Sequence, residues 1–284
     1  MRRIAMPLLC LTLAGFAWSQ DSRPPSEHAG HAPPAETPAS APASGATASG
    51  STPQAVEGLD PLRDAGVPDA ERIAAIKKKH DSMSLAAATL AELEACDACL
   101  GRNEFAAILA AQPAADLKAL APTLVAKAKD SPSRFVKAAC IRAIFALPEA
   151  DRPAEAAQWK PVMLKTATVP GTMTWNPKEF TVAPGAVVAI EMSNPDTMSH
   201  NMLVLAPGSL MEVGVASDKL GEGLLGKQRQ YVPDSPKVLE IMGFAPPNTS
   251  RTLWFIAPGK IGTYPLICTY PGHWRMMNGK LKVQ

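Results

Sequence analysis

At about residue 162 the apolar residues of this chain change their period, and that change limits the fold more than any single motif. Before it, Ala, Leu, Lys and Glu dominate residues 59–158, and apolar side chains recur at three- and four-residue steps. After it, Phe180 and Val182 alternate with Thr181, and Val188, Ile190 and Met192 fall on one face of "GAVVAIEMSN". A period of 3.6 belongs to helices and a period of 2 to strands. The expected organisation is therefore two domains: a small α-helical domain over 59–158, then an all-β Greek-key sandwich over 162–284.

The helical stretch subdivides. "DAERIAAIKKKHDSMSLAAATLAELEA" is expected to start a helix after Pro68 with Asp69 as its N-cap. "PAADLKALAPTLVAKAKD" and "SPSRFVKAACIRAIFALPEA" read as two consecutive helices. In the second, Phe135, Ala138, Ala139, Ile141 and Phe145 form one buried face, which Pro148 ends. Asp130, Pro132, Val136, Ala139 and Leu147 resemble the second helix of a HEAT-type repeat, which implies helices packed in pairs. His80, inside "KKKHD", reads as a solvated helix residue. Beyond residue 162, "RTLWFIA", "GTYPLICTY" and "GKLKVQ" are further short strands separated by Pro, Gly and Asn clusters, and residues 208–226 interrupt them with a helix-like insert.

The first residues point to export. Arg2 and Arg3 precede a short apolar run over residues 4–17, and small residues at Ala17 and Ser19 place a cleavage site after Ser19. Residues 1–19 thus read as a signal peptide, and a lipoprotein reading through Cys10 is its alternative. No other stretch approaches the roughly 18 apolar residues of a membrane helix. Residues 20–58 are rich in Pro, Ala, Ser, Gly and Thr and read as a disordered linker, since they hold too little apolar surface to offset the entropy of ordering. His28 and His31 lie in it, in "EHAGH".

The chain carries 28 Lys+Arg against 26 Asp+Glu, a balance that argues against a nucleic-acid partner. Of its 5 cysteines, Cys10 belongs to the signal peptide. Cys96, Cys99 and Cys140 lie in the helical domain, and which of them pair is left open. "CDACLG" lacks the following His of a haem attachment site and does not follow a strand as a thioredoxin-like motif would. A zinc site there would have only Cys140 and His80 to add.

Chemistry concentrates near the end, in "LICTYPGHWRMMNGKLKVQ". The sandwich has two histidines, His200 and His273, and one cysteine, Cys268, with Met276 and Met277 close behind. A soft thiolate, two imidazoles and a weak thioether make up the donor set of a blue-copper electron-transfer site. Zinc accepts Cys and His as well but has no redox chemistry, so it would be a misloading product.

Residues 172–284 resemble the azurins, a family of bacterial cupredoxins. The resemblance rests on "CTYPGHWRMM", on "SHNM", on "NGKLKV" at the final strand, and on "MTWNPKEFTV", which is similar to the family's second strand. It implies one type 1 copper ion held by His200, Cys268 and His273, with Met277 axial and the Ser199 carbonyl as a weak contact. It also implies that Asn201 hydrogen-bonds Thr269 across the two ligand loops. His273 would reach the surface through a partner-docking patch of Met198, Tyr270, Pro271, Trp274 and Met276. The chain departs from the family in three places. Ser199 replaces a Gly, no Cys lies between Cys140 and Cys268 to form the family's disulfide, and Trp274 and Arg275 replace small residues. Arg275 would add a charge at the patch edge.

The function expected is one-electron transfer by a periplasmic or secreted protein cycling Cu(II) and Cu(I), not an enzyme. Its partners would be redox proteins, with no nucleic acid and no membrane span, and the helical domain would either dock a partner or anchor the protein within a larger assembly. The alternative is a copper carrier with "EHAGH" as an accessory site.

Overall fold

Ser84 and Ser133 each begin a helix by accepting a backbone N–H, from Ala87 at 3.3 Å and from Val136 at 3.1 Å. The computed structural model describes residues 60–96 and 99–284; residues 1–19, the segment 20–58 and its His28 and His31 lie outside the described residues. Among the described residues five α-helices come first: α1 (Asp69–Lys79), α2 (Leu85–Ala95), α3 (Arg102–Ala110), α4 (Ala114–Asp130) and α5 (Arg134–Ala146). The stretch expected as one helix from residue 69 is two. His80 closes α1 and Ser84 opens α2, so the Ser cap restarts the chain in a new direction. Asp69 is the first residue of α1, not its cap, and sits where a carboxylate meets the positive end of the helix dipole. His80 is half-buried, its Nε2 2.5 Å from Glu92 Oε1, and so is not a solvated residue. Cys96 and Cys99 are disulfide-bonded. Cys140 is free and buried, and burial pushes its thiol up to about 12, which leaves it an inert packing residue.

The strands follow as β1 (Val162–Val169), β2 (Thr174–Asn176), β3 (Glu179–Val182), β4 (Val187–Asn194), β5 (His200–Leu205), β6 (Val238–Ala245), β7 (Thr249–Ile256), β8 (Gly262–Ile267) and β9 (Asn278–Val283). They make two sheets, ordered β2-β1-β4-β7 and β3-β9-β8-β5-β6. β1 runs parallel to β4 and β3 parallel to β9, and the other pairs are antiparallel. The segment "TWNPKEFTV" is not one strand. It leaves the first sheet as β2 and enters the second as β3 after Pro177, which has no N–H to extend a ladder.

The inward residues of the sandwich include Val188, Ile190 and Met192 of β4, Met202 and Val204 of β5, and Leu266 and Cys268 at the end of β8. Both sheets are also covered outside. α6 (Leu210–Asp218) and α7 (Leu224–Gln228) make up the insert between β5 and β6, a flap whose Leu210 and Val213 pack on Leu203, Leu205, Ile241 and Ile267. On the other side the helical core runs onto Val187 of β4 and Trp254 of β7. Phe145 of α5 meets Trp254 at 6.4 Å between ring centres, with the Arg152 guanidinium stacked on Phe145. Arg102 at the start of α3 donates to Leu239 O at 2.7 Å. The described helices and strands thus belong to one compact unit.

Shared packing of this kind predicts shared unfolding. Trp254→Ala should cost about 2–3 kcal/mol, below the 3–5 kcal/mol of a fully buried aromatic, because Trp254 is only half-buried. In urea the helical signal and the tryptophan fluorescence should still fall in one coincident transition.

Candidate metal centre

The centre sits where β5 begins and β8 ends. These strands pair antiparallel with Leu203 opposite Ile267 and Val204 opposite Leu266. Continuing that register puts Asn201 opposite Thr269. Side chains alternate, so Met202, Val204, Leu266 and Cys268 point into the sandwich with His200, while Asn201 and Thr269 point to the flap side. Asn201 Nδ2 donates to Thr269 Oγ1 at 2.8 Å, and the Thr269 N–H donates to Asn201 Oδ1 at 2.7 Å. The two ligand-bearing segments are therefore locked by a two-bond clamp between fully buried residues.

From Cys268 the chain turns back on itself. Gly272 has φ +80°, a left-handed conformation that L side chains rarely adopt, and it aims the following short 3-10 turn, His273–Arg275, over Cys268. The His273 N–H donates to Tyr270 O at 2.9 Å and the Met277 N–H to His273 O at 2.7 Å. The Cys268 N–H closes the loop on Met277 O at 3.0 Å. Asn278 Nδ2 holds the turn through Trp274 O and Arg275 O. Met277 is buried in the same cluster as Cys268, whereas Met276 is 58% exposed.

The result is a convergence of three donors. Cys268 Sγ lies 3.8 Å from His200 Nδ1 and 3.7 Å from His273 Nδ1. The donor atoms of these three residues all fall within 4.8 Å of one another, the one such cluster among the described residues. A metal–sulfur bond of about 2.3 Å and a metal–nitrogen bond of about 2.0 Å together exceed the two sulfur–nitrogen separations, so these three residues would hold one ion. Burial pushes the Cys268 thiol up to about 12. Burial, helped by the neighbouring His200, takes His273 down to about 4. His200 is also lowered by burial, against the pull of Asp196. At neutral pH both imidazoles are thus uncharged, and the Nδ1 atom of each faces the sulfur, an arrangement that a cation completes. Thiolate, two imidazoles and the Met277 thioether fit copper.

A model of copper-binding proteins of the plastocyanin/azurin family matches residues 162–284. Auracyanin-A of Chloroflexus aurantiacus is 30% identical over 125 residues, 43% of this chain and 75% of that protein. The chain belongs to this family. Among solved structures, auracyanin A, described as a "blue" copper protein of Chloroflexus aurantiacus, is 27% identical with a TM-score of 0.40, covering 44% of this chain and 100% of that one. Reduced auracyanin of Roseiflexus castenholzii is 24% identical with a TM-score of 0.38, covering 43% and 96%. The helices before residue 162 lie outside the family match.

Around this cupredoxin centre the flap and the helical region contribute contacts that motif reading missed. Asn201 Nδ2 also donates to Gln230 O at 3.0 Å, and Gln230 Nε2 donates to Ala65 O at 3.1 Å. A chain of hydrogen bonds thus runs from the helical segment to the ligand loops. Asp218, at the end of α6, accepts from the Gly272 N–H, Trp274 Nε1 and Arg275 Nη1 at 3.2, 3.0 and 2.9 Å. Burial alone would raise Asp218, but these three donors outweigh it and hold it below the usual carboxylate range. Asp196 Oδ2 stands 3.4 Å from His200 Nε2. No sequence motif marks these acids; only their places in the fold do.

The docking patch needs correction. Trp274 is 3% exposed, its ring against Gly214 of α6, because Asp218 draws its indole N–H inward. Arg275 pairs with Asp218 and stacks on Trp274 at 4.3 Å, so its charge is already matched. His273 is itself buried, with Tyr270 stacked 4.6 Å from its ring. Met198, Tyr270 and Pro271 are half-exposed.

Copper binding to the metal-free protein should release one proton, from Cys268. Between about pH 7 and 9 the imidazoles are already neutral and the thiol still protonated, so apparent affinity should rise about tenfold per pH unit. Titration in weakly buffered solution with proton counting checks this; a pH-independent affinity would contradict a buried protonated thiol.

Proposed function

We propose that this chain is an exported electron carrier cycling one type 1 copper between Cu(II) and Cu(I). The observation that carries the reading is the convergence of Cys268, His200 and His273 beside buried Met277, inside loops fixed by Asn201 and Asp218. When bound, copper supplies the one-electron couple. The chain's part is to keep its donors still: the Asn201–Thr269 clamp and the Asp218 contacts oppose movement of either ligand loop when the charge changes. Met277, buried beside Cys268, would add a weak thioether donor, and Ser199, next to His200, would offer its carbonyl as a further weak contact.

Electrons would pass through His273 and its stacked neighbour Tyr270 to redox proteins that meet Met276, Pro271 and Met198. Exposed Met276 with half-exposed Pro271 and Met198 suits a small, quickly released interface. Export rests on the signal-like residues 1–19, and among the described residues no helix is long and apolar enough to cross a membrane. The helical region, carrying the flap through Gln230, would act in partner docking as well as support. The alternative of a copper carrier is disfavoured by burial, since a carrier must give up its ion readily and these donors are enclosed.

Cys268→Ser should abolish the intense visible band of the copper-loaded protein while leaving circular dichroism of the fold intact; a variant that stays blue would refute the thiolate assignment. Met277→Leu should keep the colour and raise the reduction potential, since loss of a weak donor leaves a more apolar site that disfavours Cu(II). Met276→Leu should leave spectrum and potential unchanged. Voltammetry on the pair decides which Met is axial, and a shift confined to Met276→Leu would reverse the assignment.

A further inference from the structure

His200 poses a problem of hydrogen bonding. Its ring is fully buried, and its Nδ1 faces Cys268 Sγ at 3.8 Å. The ring proton therefore belongs on Nε2, and a buried N–H needs an acceptor. The group in place is the carboxylate of Asp196, with Oδ2 at 3.4 Å, four residues back across the loop that leads into β5. Asp196 is itself only 7% exposed.

The carboxylate is held, not merely nearby. Its Oδ1 accepts the Thr197 N–H at 2.7 Å. Its own N–H donates to Asn194 Oδ1 at 3.2 Å. Asn194 is in turn fixed at four points. Its Oδ1 accepts Thr168 Oγ1 at 2.8 Å as well as the Asp196 amide, and its Nδ2 donates to Met198 O at 2.8 Å and Ala245 O at 2.7 Å. The loop from residue 194 to residue 200 is thus braced against β1 and β6, which fixes the Asp196 backbone, and the Thr197 N–H holds the carboxylate in place beside His200.

We propose that Asp196 is a positioning and tuning residue of the copper site. Its carboxylate accepts the Nε2–H of His200, which fixes the ring with Nδ1 toward Cys268. Its negative charge, set against a copper ligand in a buried place, favours the more highly charged Cu(II) and so lowers the reduction potential. One electron enters or leaves the copper, and no bond or proton moves with it. The inference rests on the copper reading above and adds a residue outside the donor set.

The test uses the full chain loaded with copper. Asp196→Asn keeps the size and an oxygen acceptor but removes the charge. It should remain folded and blue with a potential above that of wild type, whereas Asp196→Glu, which restores the charge, should return the potential toward wild type. Asp196→Ala should also bind copper about 10–100-fold more weakly, the usual cost of losing a partner of a ligating imidazole. An Asp196→Asn potential equal to wild type, in a protein that stays blue, would overturn the tuning role. If Asp196→Asn does not fold, the wild-type protein in its Cu(I) form decides. A slowly exchanging His200 Nε2–H in nitrogen-15 spectra supports the contact, and one that exchanges with bulk water at once overturns it. A wild-type protein with no blue band would instead sink the copper reading itself.

Discussion

Leu203 faces Ile267 and Val204 faces Leu266, and from that short antiparallel register the metal centre follows. A slip of one residue in either strand would turn His200 or Cys268 to the flap side and bring Asn201 or Thr269 into the sandwich in its place. The register holds because both faces of β5 are buried, Met202 and Val204 in the sandwich and Leu203 and Leu205 beneath the flap. The Asn201–Thr269 bonds then lock it at the end of the pair, within reach of the ligands.

Burial also sets the chemistry. Removed from water, Cys268 keeps its proton and the two histidines stay neutral, so the cavity carries no charge of its own until a cation enters. Around that neutral core stand two fixed carboxylates with different tasks. Asp218 collects three donors from the loop after Cys268 and so fixes the loop's shape. Asp196 meets the ligand His200 directly. A carboxylate on a loop is a lever of opposite kind to the donor set: it acts on the ion through charge and orientation.

The helical region is part of this construction. Its core takes in Val187 and Trp254 from the outer face of one sheet, and its first residues reach Gln230, which touches Asn201. The near-continuous apolar run "VVAI" in β4 reflects that double cover, since a strand with one wet face would alternate.

By itself the sequence determined the change from helix to sandwich near residue 162 and the donor types Cys268, His200 and His273, because period and residue chemistry are local properties. It also separated Met276 from Met277, through family spacing. It left open which of Cys96, Cys99 and Cys140 pair, merged α1 with α2, put Trp274 on the surface and left the charge of Arg275 without its partner Asp218. Those points depend on what stands opposite in space. Asp218 is far from Trp274 in the chain yet pulls it inward. Asp196 and Gln230 carry no signal of their own, and only the packed fold decides that an ordinary acid and an ordinary amide abut the ligand loops, since contact between distant segments is fixed by tertiary packing and not by any local pattern.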